Sequence, residues 1–457
     1  MVFRLPKDRE LTIDILDYFI GQHRLQVTDR YQKLHDAYVS DHKILHEDAK
    51  PAYKPDNRIV VNFPKYIVDT FNGYFIGNPI KIVAEDDAVS EYVEYIDRYN
   101  DQDDNNAELS RLMSIYGRAY EMYYADEEAE LCITYLSPLE AFMIYDDSIV
   151  ERPLYFVRVY KDWEGNEYGS VSNSGYLRHF QITGGTRWLD EWMPHYFDGV
   201  PATEYIENED RQGMFEPVMS MVNAYNKAIS EKANDVDYFA DAYMKVLGTR
   251  LEEEDVRHIR DNRIVNFEGD DAGKLVVEFM GKPESDTTQE NMLDRLERLI
   301  FQVSMVANIS DENFGSATGV ALKYKLQAMS NLEKTKERKF SSGMNRRYKL
   351  LFSHPTAASK VPADAWVQLG FVYTPNIPAN LLEEAQIAAQ LEGITSHETQ
   401  LKVISAVDNV QDELDKIEEE NAPAENSAVD RMMFGGAVHS HDEEPEEEEE
   451  DAVNGTV

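Results

Sequence analysis

Residues Gly315-Ser316-Ala317-Thr318-Gly319 have the glycine spacing of the turn that presents a hydrolase nucleophile. That turn needs serine at its centre, and Ala317 stands there, so the segment carries no nucleophile. Asp101, Asp103 and Asn105 imitate the opening of a calcium loop. The position that requires glycine holds Asn106, and the one that requires a bidentate glutamate holds Leu112, so no calcium site is expected. His439 and His441 border an acidic run, which reads more simply as a solvated tail than as a metal site. The chain has no Gly-x-x-x-x-Gly-Lys-Ser/Thr phosphate cradle and no His-Glu-x-x-His zinc helix. Cys132 is its one cysteine, which excludes an intrachain disulfide and a cysteine zinc site. Acidic clusters such as Glu252-Glu253-Glu254 and Asp270-Asp271 read as solvated faces. No constellation supports catalysis, no metal or cofactor is called for, and the expectation is a protein that is not an enzyme.

The elements around these residues are more informative. Residues 1–50 read as polar and helical. Asn57–Pro79 predicts a helix opened by Pro64, with one apolar face at 67, 68, 71, 74 and 75, and stopped at Gly77-Asn78-Pro79. A further helix is expected over 105–124, then a meander of short strands over 131–210. Residues 216–247 form the clearest amphipathic pattern, with apolar residues in steps of three or four from Val218 to Leu247. Residues 249–283 read as a compact insert: a short acidic helix, then strand-like runs at 262–267 and 274–280 about a Gly269–Gly273 turn. A second helix is expected over 287–309, with Asp286 and Gln289 as a capping box. The small polar loop Ser310–Gly319 follows, then a third helix from 320 to 352 with a bend point at Gly343. Strand-like sequence at 365–373 precedes three helices at 379–391, 396–406 and 409–420, the middle one capped by Thr395 with Glu398. Residues 442–451 are acidic except for Pro445, and that tail is expected to be disordered. The class this predicts is α+β and mainly helical.

At 457 residues the chain exceeds what one core usually serves, so several substructures are expected. No run approaches 18 apolar residues and the N-terminus lacks a signal-peptide core, which fits assembly in a reducing cytoplasm without a membrane partner. The formal charge of −41 argues against a tight nucleic-acid grip. Residues 320–353 stand apart. Nine bases there (Lys323, Lys325, Lys334, Lys336, Arg338, Lys339, Arg346, Arg347 and Lys349) face only Glu333 and Glu337. Either they pair with acidic neighbours, or a few of them centre a passing polyanion through sequence-blind contacts. The order long helix, insert, long helix, polar loop, long helix suits either a bundle with an insertion or a closed ring that covers each apolar stripe with a neighbour.

Three stretches resemble a known family: Asn57–Pro79, the run Val306–Gly315 with Gly319–Tyr324 after it, and Phe371–Pro378 with Gly393–Ser396 later. Together they look like the portal proteins of long-tailed phages of Gram-positive bacteria, and the resemblance covers most of 10–420 in order. It implies a ring of about twelve copies, assembled in the host cytoplasm and residing at the portal vertex of the virion. Double-stranded DNA would be packaged and ejected through it without sequence preference.

Mapped onto this chain, the resemblance makes 1–212 and 353–378 a peripheral wing, 213–248 and 285–309 the stem, and 249–284 the clip. It makes 310–319 the tunnel loop, 320–352 a helix toward the crown, 379–422 the crown, and leaves 423–457 as an acidic tail. Ser310, Asp311, Glu312, Asn313, Phe314, Gly315, Ser316, Ala317 and Thr318 would line the channel, and Lys323, Lys325, Lys334 and Lys336 would be the bases facing DNA. Glu252, Glu253, Arg257, Arg260, Asp270 and Asp271 of the clip would meet the terminase large subunit and later the head–tail adaptor. Major capsid and scaffolding proteins would be further partners. A head or neck protein without a channel, and a metal-dependent nuclease using the acidic clusters, are the competing readings.

Overall fold

The computed structural model describes residues 2–51, 54–240, 244–247, 276–279, 286–309, 319–377, 381–404, 406–407 and 409–418. Two units arise, Met1–Ile377 and Pro378–Val457.

The first unit opens with strand β1 (Phe3–Arg4) and helices α1 (Ile13–Gln26) and α2 (Gln32–Tyr38), joined by a π turn over Val27–Tyr31. Helix α3 (Phe63–Ile76) follows the sequence pattern closely. Pro64 sits in its first turn, the Asn62 side chain caps Lys65 N–H at 2.9 Å, and Ile67, Val68, Phe71, Tyr74 and Phe75 are all buried. After β2 (Lys81–Val83) come α4 (Asp87–Tyr99) and α5 (Gln102–Tyr116). The helix expected over 105–124 therefore ends early. Gly117 takes φ 80° and returns its N–H to Met113 O, a left-handed stop, and the chain leaves as β3 (Arg118–Ala125).

The meander comprises β4 (Leu131–Leu136), β5 (Ala141–Tyr145), β6 (Pro153–Lys161), β7 (Glu167–Ser172), β8 (Tyr176–Ile182), β9 (Thr186–Trp188), β10 (Met193–Pro194) and β11 (Ala202–Ile206). It makes two sheets. One runs β1-β5-β6-β7-β8-β10, with β9 also on β8, and the other runs β11-β3-β4. One face of the larger sheet carries Phe142, Val157, Val171 and Phe180, packed against Leu16, Phe19 and Ile20 of α1.

Helix α6 (Met219–Ala240) begins after a 3-10 turn at Glu216–Val218. It stops short of 247: Met244–Leu247 is strand β12, antiparallel to β13 (Val276–Phe279). A short apolar run fits helical steps and alternation equally well, and here strand pairing wins. Within the insert, the run expected at 274–280 holds β13, whereas the acidic helix, the 262–267 run and the turn lie outside the described residues.

Helix α7 (Asp286–Ser304) ends where Met305 turns left-handed at φ 60°, five residues before 309. Gln289 does not close a capping box: its buried Oε1 accepts no hydrogen bond among the described residues, and its amide donates to Asp235 at 3.3 Å. Helix α8 (Gly319–Ser353) is continuous for 35 residues, about 50 Å at ~1.5 Å per residue. Gly343 serves packing within it, since a Cβ there would lie 2.3 Å from the buried Tyr205 ring. Residues 365–373 are only partly strand: a 3-10 turn at Ala365–Gln368 precedes β14 (Gly370–Val372), which pairs with β2. The main core gathers α3, α4, α5, β3 and the second half of α8.

The second unit holds helices Leu381–Gln390, His397–Leu401 and 410–418. Its middle helix is capped by Ser396, which accepts from Thr399 N–H at 3.3 Å, and not by Thr395.

Candidate functional site

Helices α6 and α7 pair, and α3 supports them. Phe63 meets Tyr225 and Phe301 edge-on at 5.0 and 5.7 Å, and Lys232 bonds Glu290 across the pair. Leu293, Ile300 and Ser304 of α7 point inward and are buried. A second apolar row on α7, Met292, Leu296, Leu299 and Val303, follows the same helical period on another face. Met292 and Val303 in it are 50% and 47% exposed. Val236 of α6 is also exposed. With α6 and α3 packed on its other sides, this face of α7 keeps apolar side chains in solvent.

The opposite side of α6 carries a feature that sequence reading missed. Asn226, Ser230 and Asn234, spaced by four, look like a solvated stripe yet are buried. Their side-chain oxygens accept the backbone N–H groups of Val61, Ile59 and Asn57 at 2.9, 2.9 and 2.6 Å. These amides have no strand on that side, and the helix supplies the acceptors a strand would give. The Asn226 amide also contacts the buried His42 ring at 3.1 Å. The signal was present as small polar residues at i, i+4 and i+8 opposite the alternation of Asn57-Arg58-Ile59-Val60-Val61.

The residues expected to line a channel, Ser310 through Thr318, lie outside the described residues, as do Glu252, Glu253, Arg257, Arg260, Asp270 and Asp271. The approach to 310–318 is fixed: Ile309 N–H donates to the Tyr66 hydroxyl of α3 at 2.7 Å, and Asn308 donates to Glu297 at 3.2 Å. At its far side Gly319 opens α8, whose Leu326 and Met329 are buried.

Much of the basic row on α8 is used inside the chain. Lys336 cannot face DNA: it is 1% exposed, and its ammonium donates to Ser110 O at 3.0 Å and Ser114 Oγ at 2.6 Å and pairs with Glu207 at 2.9 Å. Burial pushes its pKa below the usual lysine value, and Glu207 opposes that shift. Arg347 is fully buried, with two nitrogens on the Glu121 carboxylate at 2.8 and 2.7 Å and a third bond to Asn106 at 2.6 Å. Glu121 also accepts from Tyr123 at 2.8 Å and Tyr205 at 3.1 Å. Beside them Tyr348 donates to Asp97 at 2.8 Å, and burial raises the Asp97 carboxyl to about 6 against the pull of Arg347 and Tyr348. Arg346 donates to the carbonyls of Ala202 and Val200, and Lys339 bonds Glu209. Lys334 is solvent-facing but bridges Glu337 at 2.8 Å and Glu333 at 3.2 Å. Lys325 and Arg338 lie on exposed surface, and the Lys323 side chain is outside the described residues. The basic helix is thus first a structural element that fastens the core.

The calcium-like triplet is helix start, not loop. Asp101 takes the left-handed N-cap of α5 at φ 50°, and the Asn105 amide donates to Asn100 O at 2.6 Å. Among the described residues no group of three or more His, Cys, Asp or Glu is placed to hold a metal ion, and no helix is long and apolar enough to cross a membrane.

Compared with known proteins, residues 17–427 match the profile of the family described as phage portal protein, SPP1 Gp6-like. The portal protein of Clostridium phage phiCD119 is 24% identical over 425 residues, 86% of this chain and 91% of that protein. The portal protein of Bacillus phage SPP1 is 23% identical over 392 residues, 80% of this chain and 76% of that protein. A chain of the solved neck of an empty GTA particle, computed with C6 symmetry, superposes with a TM-score of 0.43 at 13% identity, over 74% of this chain and 89% of that one.

Proposed function

The chain belongs to the SPP1 Gp6-like family of phage portal proteins, a structural, non-enzymatic component of the virion's portal vertex, and on that premise we propose how its parts serve a DNA conduit. Copies of the chain close into a ring of about twelve. Helices α6 and α7 form the stem, the segment 249–284 forms the clip, and residues 310–319 project toward the lumen. DNA passes during packaging and ejection. The clip receives the terminase large subunit and afterwards the head–tail adaptor, the wing meets capsid and scaffolding proteins, and 379–422 forms the crown.

The observation that carries this reading is the second apolar row of α7. Met292, Leu296, Leu299 and Val303 repeat at helical spacing on a face where Met292 and Val303 stay exposed and the two leucines are only partly buried. A heterologous neighbour related by rotation would cover that face, and repetition of the same contact closes a ring. With Lys336 buried and Lys334 bridged to two glutamates, the expected DNA-facing set of four narrows to Lys323 and Lys325. A wall of net negative charge with few bases favours sliding over binding.

Negative-stain imaging of the purified chain tests the ring directly. Closed rings with a central hole are expected, and the pair Met292→Asp with Val303→Asp should disperse them while leaving the monomer folded by circular dichroism. A native protein that is monomeric at micromolar concentration, or rings that survive the double substitution, would overturn the stem assignment. Shortening 311–317 should leave rings intact and impair packaging; normal packaging would remove the DNA-contact role of that loop.

A further inference from the structure

The open face of the larger sheet and the tip of one of its hairpins are complementary. Opposite the face that α1 covers, β6, β7, β8 and β10 form the floor of a groove of about 440 Å³. Arg158, Ser170 and His179 lie across its floor in strand register, and Tyr124, Tyr160 and Tyr196 are exposed along its walls. No aspartate or glutamate lines it, in a chain with 86 of them. Four other concavities among the described residues each have at least one carboxylate in their lining. The Arg158 guanidinium lies 4.8 Å from the Tyr160 ring centre, and its buried Nε has no hydrogen-bond partner among the described residues. The His179 ring is held by Asp190 at 2.6 Å. Aromatic walls with an under-used arginine are the composition of an interface centre.

The β5–β6 tip is the matching shape. Ile149 is 104% exposed and Val150 69%, on a turn that its own base makes rigid. There Asp146 accepts from the Ser148 hydroxyl at 2.7 Å, from Ser148 N–H at 3.2 Å and from Arg152 N–H at 2.9 Å, and Arg4 clasps Glu151. Asp147, next to the apolar pair, is exposed. Two β-branched side chains held largely in water on an ordered turn are a ready-made knob, because little conformational entropy remains to be lost when they dock.

We infer that in the ring the Ile149–Val150 tip of one copy seats in the aromatic groove of the next, with Asp147 approaching Arg158. This contact rests on the ring reading and adds to it a specific head-to-tail joint in the wing. Knob and groove are different surfaces of the same chain, as a ring-closing heterologous contact requires. The tip does not fill its own groove. Ser170 pairs with Arg158, eight residues along from Val150 and roughly 25 Å away if extended.

The test uses the full chain with Cys132→Ser, Val150→Cys and Ser170→Cys, under mild oxidant. A disulfide needs Cα atoms within about 7 Å, so bonds can form only between copies. A ladder of covalent oligomers that collapses on reduction is expected, and mixed single-cysteine chains should give dimers alone. Ile149→Asp with Val150→Asp, confined to an exposed tip, should reduce the yield of assembled rings at least tenfold. Arg158→Asp should do the same, with recovery when combined with Asp147→Arg. Rings seen by negative stain without any ladder, or formed at native yield with the tip substituted, overturn the joint and leave the stem reading standing. A native chain that forms no rings overturns both.

Discussion

Replacing Arg347 with methionine removes the cation at the centre of the core and leaves the Glu121 carboxylate behind. Glu121 is 1% exposed and would keep only its neutral partners, Tyr123 and Tyr205 at 2.8 and 3.1 Å and the weak Gln102 contact at 3.4 Å. It would lose two charge-assisted bonds, and Asn106 would lose one. Breaking a buried pair from one side destabilises by about 3–5 kcal/mol, mostly because an uncompensated charge stays in a dry site. Set against a typical domain stability of about 5–15 kcal/mol, that is a fifth or more of the margin. Adding Glu121→Gln removes the orphaned charge while retaining an acceptor for the tyrosines, and should restore at least half of the loss. Urea unfolding of the full-length chain at low concentration, followed by circular dichroism, gives the midpoints. Hydrogen exchange of peptides from β3 and α8 shows where the loss falls. A single variant shifted by less than about 1 kcal/mol, or a double variant no better than the single, would refute the idea that this ion pair fastens α8 to the sheet.

The Asp97 carboxyl is raised from 3.8 to about 6, chiefly by burial, so the folded chain holds its proton more tightly than the unfolded one. The stability it contributes is whole below about pH 4 and is lost as pH rises through 6. Asp97→Asn should therefore melt higher than the native chain above pH 6, with the two curves converging near pH 4. His23 runs the other way. Burial lowers it from 6.5 to about 4 despite its bond to Pro138 O, so its contribution is present above pH 6.5 and lost toward pH 4, and hydrogen exchange in α1 should quicken across that window. Gly343→Ala sets a methyl 2.3 Å from a Tyr205 ring that is itself buried, and should lower stability by about 1–3 kcal/mol in the same urea assay. Ser230→Ala leaves Ile59 N–H without its acceptor and should cost about 1–3 kcal/mol, with faster exchange at that amide as the local readout.

Helix α3 was legible to within a residue or so because the local signals agree: proline, apolar face and stop. The length of α8 was legible for the same reason. The end of α6 was not, since Met244–Leu247 satisfies helical and strand periods alike and its partner strand lies some thirty residues on. Gly117 carried a helix stop that the continuing apolar pattern into Tyr120 and Tyr123 concealed. Lys336 looked like a surface base because a sequence shows charge and not depth. Its partners, Ser110, Ser114 and Glu207, are more than a hundred positions away. The joint proposed between tip and groove left no trace in the sequence. An apolar pair in a hairpin is common, and the absence of carboxylates becomes visible only when four separate strands are laid side by side.

The rungs between α6 and residues 57–61 work as a vernier. Four helical residues advance about 6.0 Å and two extended residues about 6.6 Å, so the two rulers agree for three marks and then drift apart. Moving one ruler along the other by a single residue would misalign all three at once. An axial tug on α6 is therefore shared among the bonds in parallel and delivered to the start of α3 without creep.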